Sequence, residues 1–208
     1  MKEAFKKLDR VRQTEILNAA LHEFATDGYE DASTNRIVKR AEMSKGMLYY
    51  YFHNKESLYY ACTEYALNSV NTALMKREYP RQGFIERSAL ISKLKKEYHD
   101  KYPEISQFIT QVYLQDSVPE AFRTLLDELV QNGFEKMYKD VDLSYFRDDV
   151  SHETLMQLIT WTLEGYSKHV ETEAKNISDY TKDLEPLWEQ FDEYLAALKK
   201  IYYKEEYQ

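Results

Sequence analysis

At 208 residues, with 43% hydrophobic and 31% charged side chains, the chain can hold one sizeable core or a small domain joined to a larger one, and it reads as a globular protein. No apolar run approaches the ~18 residues that span a bilayer. The charged opening MKEAFKKLDR lacks the apolar core of a secretory signal, and the single cysteine, Cys62, excludes a disulfide framework or a multi-cysteine zinc site, so the cytoplasm is the expected location.

The chain reads as all-α. It has five glycines, four prolines and no hairpin dipeptides, and its apolar residues recur every three or four positions. A first helix is expected from about Asp9 to Asp27, with Ile16, Leu17, Ala20, Leu21 and Phe24 on one side and Gly28 as its left-handed terminator. Ser33 is placed to cap a short helix over about 34–41, with Ile37 and Ala41 inward. Glu42-Met43 makes a tight turn, and Ser44 caps a third helix of about seven residues. Two short helices joined by a tight turn and braced by a longer one form a helix-turn-helix. Asn54 then caps a fourth helix expected to run to about Tyr79.

Beyond Pro80 the predicted helices lengthen. Phe84, Ile91, Leu94 and Tyr98 share a face before Pro103, which opens another helix. Ser117-Val-Pro-Glu120 is a capping box ahead of Phe122, Leu126, Leu129, Gly133 and Met137. A polar loop is expected around 140–150, then a helix over 151–172 and a last one from near Asp183. That last helix carries one stripe of Leu184, Trp188, Phe191, Leu195, Leu198 and Tyr202 and a second of Leu187, Tyr194 and Ile201. One stripe suffices to dock a terminal helix on its own domain, and two suggest that a second copy packs there as well. Gly165, which costs ~1 kcal/mol in mid-helix, fits the close approach of another helix, either from a second copy or from within the monomer. The expected layout is an N-terminal three-helix domain over 1–55 and a C-terminal helical bundle over 56–208, about nine helices in all.

The net charge of −8 is unevenly spread. Residues 1–55 hold ten Lys/Arg against eight Asp/Glu, a net of +2, and the remaining 153 residues carry −10. A locally basic head on an acidic body fits an anionic partner of the head. The stretch SKGMLYYYFHNKESL sharpens this. Leu48 and Phe52, four apart, point to the core, so Lys45, Tyr49 and Tyr50 must point elsewhere, with Tyr51 at the margin. A phenol donates to a phosphate oxygen and lays its ring against sugar or a thymine methyl. Lys45 and Lys55 can neutralise phosphates. Gly46 lets the helix start approach the backbone of a nucleic acid.

Residues 12–58 resemble the DNA-binding domain of the TetR/AcrR family of bacterial transcriptional regulators. The resemblance is carried by Ile16, Ala19-Ala20, Phe24, Gly28-Tyr29, Ser33-Thr34, Ile37, Ala41, Ser44, Gly46, Leu48-Tyr49, Tyr51-Phe52, Lys55 and Leu58. It departs at Tyr51, where the family often has histidine. The resemblance implies a homodimer whose recognition helices enter successive major grooves of a near-palindromic operator. Ser33, Thr34 and Asn35 would meet the DNA at the second helix. Lys45, Gly46, Met47 and Tyr50 would face base edges or the groove wall, and Tyr49, Tyr51 and Lys55 would hold the backbone. Lys6, Lys7, Arg10 and Arg12 form either a further backbone contact or a solvated leader. The resemblance also implies dimerisation through the last two helices, with Leu155, Ile159, Thr162, Gly165, Tyr166, Leu187, Phe191, Tyr194 and Leu198 at the interface.

Members of that family typically release DNA when a small molecule binds the C-terminal domain. The fourth helix, with Cys62, Tyr65, Ser69 and Ala73, would be the lever. Tyr98, Phe108, Tyr113, Phe122, Phe134 and Trp161 are candidate pocket walls, although aromatic residues at helical spacing also serve as plain core. The expected function is a ligand-released repressor. The alternative is an architectural or partner-regulated DNA-binding protein with no small-molecule effector. The chain has no HExxH, GxSxG, GxxxxGK[ST] or GxGxxG. His152-Glu153 and His169 with Glu164 and Glu173 are surface residues in this reading. No catalysis, cofactor or metal is expected, and the effector is left unidentified.

Overall fold

The computed structural model describes residues 3–114, 120–174 and 184–208. Among them are ten α-helices: α1 (Glu3–Lys6), α2 (Arg10–Asp31), α3 (Thr34–Arg40), α4 (Lys45–Tyr51), α5 (Lys55–Val70), α6 (Phe84–Lys101), α7 (Pro103–Leu114), α8 (Glu120–Met137), α9 (His152–Ala174) and α10 (Glu185–Tyr202). The described residues contain one isolated antiparallel bridge, Phe146 with Tyr203, and no extended sheet. The chain divides into two compact bodies. Met1–Ala73 and Lys101–Asn132 form the first, and Leu74–Asp100 and Gly133–Gln208 the second.

In the first body α2, α3 and α4 close over Ile16, Ala20, Leu21, Phe24, Ile37, Leu48 and Phe52, all nearly solvent-free. Gly28 breaks α2 internally with φ 72° and ψ −179°, a conformation open essentially to glycine alone. The helix therefore turns where the sequence predicts its end. Helix α7 packs on α2 and α5 in this same body. Phe108 is its anchor, 5.4 Å from the Tyr59 ring and 6.4 Å from Phe24.

Helix α5 starts at its predicted cap, where Asn54 and Ser57 exchange side-chain and backbone hydrogen bonds as a capping box. It ends early. Regular α-helix stops at Val70 and one π-helical stretch follows over Asn71–Met75, where the sequence predicted helix to Tyr79. The physical reason is local composition. Asn68, Ser69, Asn71 and Thr72 carry short polar side chains that compete for backbone hydrogen bonds, and Val70 is β-branched. The Tyr79 hydroxyl donates to the Leu74 carbonyl at 3.0 Å beyond that point.

The second body packs Phe84, Ile85, Phe146, Leu155, Ile159, Leu195, Leu198 and Tyr203 into one core. The segment predicted as a polar loop around 140–150 thus supplies a core residue, Phe146. Its flanking backbone pairs with the chain end, Arg147 N–H to the Tyr202 carbonyl at 2.9 Å and Lys204 N–H to the Tyr145 carbonyl at 3.0 Å. The Tyr203 hydroxyl accepts the Ile85 N–H at 2.8 Å and donates to Glu86 Oε2 at 2.9 Å. This seals the first turn of α6.

Gly83 is the residue that admits this seal. A Cβ there would lie 2.5 Å from the Tyr203 hydroxyl, 2.4 Å from Glu86 Oε2 and 2.9 Å from the Tyr145 ring. Gly83→Ala is expected to destabilise the second body by about 1–3 kcal/mol through overpacking. Calorimetry would show its melting several degrees lower. An unchanged melting temperature would mean the Glu86 carboxylate swings aside at no cost. The capping box at Ser117–Glu120 and the start of the last helix at Asp183 lie outside the described residues.

Candidate nucleic-acid interface

The surface of interest is built from the turn between α3 and α4. Ala41 N–H closes α3 onto the Ile37 carbonyl at 2.9 Å, and Met43 N–H reaches the Val38 carbonyl at 3.0 Å. Glu42 sits between them at φ 47°, in the left-handed region. Arg12 of α2 holds this turn from below, donating through Nη2 to the Ala41 carbonyl at 2.7 Å and the Glu42 carbonyl at 3.2 Å. Its other nitrogen pairs with Glu15 at 2.8 Å. Of the two readings of the basic leader, Arg12 therefore takes a third role, as a clamp on the turn.

Ser44 caps α4 as predicted, its Oγ accepting the Met47 N–H at 3.2 Å. The three tyrosines then divide. Tyr49 and Tyr50 face outward, Tyr50 at 59% exposure, while Tyr51 is 7% exposed, with its ring edge-on to that of Phe5 at 5.8 Å. Lys45, Gly46 and Met47 share the outer face. A Cβ on Gly46 would meet Ser44 Oγ at 3.9 Å, an ordinary contact, so nothing among the described residues requires a glycine there. On α3, Asn35, Lys39 and Arg40 are exposed and Ser33 and Thr34 are half-buried. The fold thus brings Asn35, Lys45, Met47, Tyr49 and Tyr50 to the surface of two adjoining short helices and withdraws Tyr51 from it.

Lys55 is committed inside the protein. Its Nζ donates to the Glu30 carbonyl at 2.8 Å and the Ala32 carbonyl at 3.0 Å, and sits 5.1 Å from the centre of the Tyr29 ring. It ties the start of α5 to the link between α2 and α3. Spacing alone places a lysine here and cannot reveal that two carbonyls beyond the Gly28 break receive it.

Glu23 is a site residue that the sequence did not single out. It is 6% exposed and accepts the Ser33 N–H at 2.7 Å and Arg36 Nε at 2.7 Å. Arg36 also reaches Asp27 at 2.8 Å. Ser33, predicted as a side-chain cap, makes no such bond, and the Glu23 carboxylate serves the start of α3 in its place. Burial pushes the Glu23 carboxyl upward, but the Arg36 and Ser33 hydrogen bonds outweigh it and hold the group below its ordinary range.

The other predicted residues fall in both bodies. Cys62 is solvent-free with its thiol pushed up by burial, and it lies in the first body with Tyr65, Ser69 and Phe108. Tyr98, Phe134 and Trp161 lie in the second, Phe134 at 41% and Trp161 at 60% exposure. The side chains of Tyr113 and Phe122 lie outside the described residues. Leu155, Ile159 and Leu198 fill the core of the second body. Tyr166 stacks on Phe191 at 5.2 Å, lies edge-on to Tyr194 at 5.5 Å and donates to the Leu187 carbonyl at 2.5 Å. Thr162, Gly165 and Tyr194 are exposed, as are Leu158 and Ile201, which add to the same outer faces of α9 and α10. No helix among the described residues is long and apolar enough to cross a membrane.

Residues 16–62 match the family profile described as bacterial regulatory proteins, tetR family. The chain is 27% identical over 132 residues to the HTH-type transcriptional regulator QacR of Staphylococcus aureus, covering 62% of this chain and 70% of that protein. It is 26% identical over 159 residues to the HTH-type transcriptional repressor AcnR of Corynebacterium diphtheriae, covering 75% and 79%. A solved TetR family transcriptional regulator from Chloroflexus aurantiacus shares the fold with a TM-score of 0.62 at 16% identity, over 98% of each chain.

Proposed function

We propose, from the premise that this chain belongs to the TetR family of bacterial transcriptional regulators, that it is a cytoplasmic homodimeric repressor released from a near-palindromic operator by a small molecule. It is a DNA-binding regulator and not an enzyme. The observation that carries the reading is the outward face of α4, where Lys45, Met47, Tyr49 and Tyr50 stand clear of a core that grips Leu48, Tyr51 and Phe52. Tyr50 and Met47 leave 59% and 42% of their surface exposed on this seven-residue helix, more than a core-packing role asks of such large apolar side chains. They suit a groove with apolar and hydrogen-bonding walls.

Two further observations support the finer parts. Leu158 and Trp161 on α9, with Tyr194 and Ile201 on α10, are exposed large apolar side chains within one body. Beyond its own stretch of helix, nothing among the described residues comes within 4 Å of where a Cβ on Gly165 would stand. A second copy covering these faces would bury them. Trp161→Glu is expected to weaken the dimer about 30-fold or more, as a truncated central aromatic anchor does. Sedimentation at micromolar concentration would show monomers with unchanged helicity, and an unaltered dimer would exclude this face. The second body also bears a groove of about 540 Å³ between α6 and α10, walled by Ile85, Ala89, Trp188 and Leu195. The groove is open and also lined by Glu86, Lys93, Lys96, Glu189, Asp192 and Lys199, and none of the predicted wall residues lies in it. Its volume, in the small-molecule range, is what favours a ligand-responsive body over an architectural one.

The deciding experiment is capture of genomic fragments by the purified protein at about 150 mM salt, where nonspecific phosphate binding is weak. One or a few near-palindromic sites are expected. Sites found only at low salt would end the repressor reading.

A further inference from the structure

We propose that the four-residue helix α1 supports the DNA-reading helix α4 from within the protein, with Phe5 as the positioning residue that sets the tilt of α4; this rests on the DNA-binding reading above. Phe5 has no exposed surface. Its ring centre lies 4.8 Å from that of Phe52 and 5.8 Å from that of Tyr51, which are the C-cap and the last residue of α4. The Tyr51 ring in turn lies 5.5 Å from Tyr50, whose exposure exceeds that of Met47 and Tyr49 on the outward face. Two ring contacts therefore connect a buried leader residue to the outward face.

A helix this short cannot persist on its own backbone bonds, because nucleation costs more than one turn returns. Two things hold it. One is the burial of Phe5. The other is Gln13 of α2, whose side-chain amide donates to the Leu8 carbonyl at 2.7 Å and the Lys6 carbonyl at 3.3 Å. Lys7 N–H to the Glu3 carbonyl and Leu8 N–H to the Phe5 carbonyl, at 3.2 and 3.1 Å, complete the turn. All of this precedes residue 16, where the family profile begins to match.

The N-terminal end of α4 is fixed by the Ser44 cap and the turn that Arg12 clamps. Its C-terminal end rests on Phe52 and Tyr51, and both rest on Phe5. A base contact needs its side chain held within roughly 0.5 Å and 10–20°. Removing the Phe5 ring opens a void under one end of α4 only, and the helix tilts about the other. Met47 and Tyr50 then lose alignment with base edges, while Lys39, Arg40 and Lys45 still meet phosphates. Specific binding falls and nonspecific binding does not.

The test uses the full chain, an operator selected by the wild type and a random duplex of equal length. Binding is titrated well below every variant's melting temperature, with active fractions fixed by stoichiometric titration. Phe5→Ala is expected to raise the operator Kd about tenfold, the size of one misaligned base contact, and to change the random-duplex Kd less than about twofold. Phe5→Leu should recover most of the loss. Gln13→Leu, which unlatches α1 and so loosens Phe5 without deleting any core side chain, should shift the ratio the same way and carries the test if Phe5→Ala does not fold. Leu17→Ala, a core truncation elsewhere in α2, should lower the melting temperature without moving the ratio. Operator and random-duplex affinities that fall together, or an operator affinity untouched by Gln13→Leu and Phe5→Ala, would overturn the role of α1. A wild type that selects no operator would instead overturn the DNA-binding reading beneath it.

Discussion

Glu23→Ala is expected to destabilise the DNA-binding head by about 2–4 kcal/mol, because it removes a buried charged acceptor and leaves the Ser33 N–H without one. Glu23 of α2 serves the start of α3 through the Ser33 N–H and Arg36 Nε. Arg36 itself is half exposed and finds water and Asp27 when Glu23 is gone, which keeps the cost below that of a stranded buried charge. The same pair sets an acid limit. Folding holds the Glu23 carboxyl below its ordinary value of 4.5, so the ionised form is the one that folding favours. Its contribution is complete above about pH 4.5 and is lost as the pH falls through the folded-state value. Denaturant melts of the wild type and variant at a series of pH values would show the gap between them closing as the pH drops below that point. A gap that does not change with pH would mean the carboxylate acts only by filling space.

Tyr50→Ala is the complementary change, with no expected effect on folding and a large one on recognition. The side chain is 59% exposed and its ring contact within the protein is to Tyr51. Operator affinity should fall by about 1–3 kcal/mol, tenfold or more, with little change on random DNA. Lys45→Ala should weaken both together and reduce the salt slope by about one. Titrations at several salt concentrations separate the two outcomes. Equal effects of Tyr50→Ala on operator and random DNA would remove α4 from the groove. Lys55 does not belong in this comparison. With its ammonium on the Glu30 and Ala32 carbonyls, Lys55→Ala loosens the head, and any loss of DNA binding follows from that.

Much of this molecule is legible one residue at a time. Helical periodicity, the caps at Ser44 and Asn54 and the break at Gly28 depend on interactions within four residues along the chain, so spacing alone determined the all-helical fold and the helix-turn-helix. The division of the tyrosines follows from the same geometry. Residues one apart on a helix differ by ~100°, and Leu48 and Phe52 inside place Tyr49 and Tyr50 outside. The two stripes on α10 likewise separate into an inner one, with Leu195 and Leu198 buried, and an outer one, with Tyr194 and Ile201 exposed.

What only the tertiary structure decided are the partnerships between distant residues. Arg12 reads as one more basic residue until the turn at Ala41 and Glu42 is folded against it. Lys55 reads as a phosphate ligand until carbonyls more than twenty residues away claim it. Phe146 lies in a stretch of turn-forming residues and becomes core because the chain end pairs with its backbone. Glu23 and Phe5 give no periodic signal at all, the first a lone acid on an apolar face and the second in a helix too short to show a repeat. Periodicity reports which way a side chain points. Which backbone groups remain unpaired, and which charge or ring arrives to satisfy them, depends on contacts that exist only once the helices have packed.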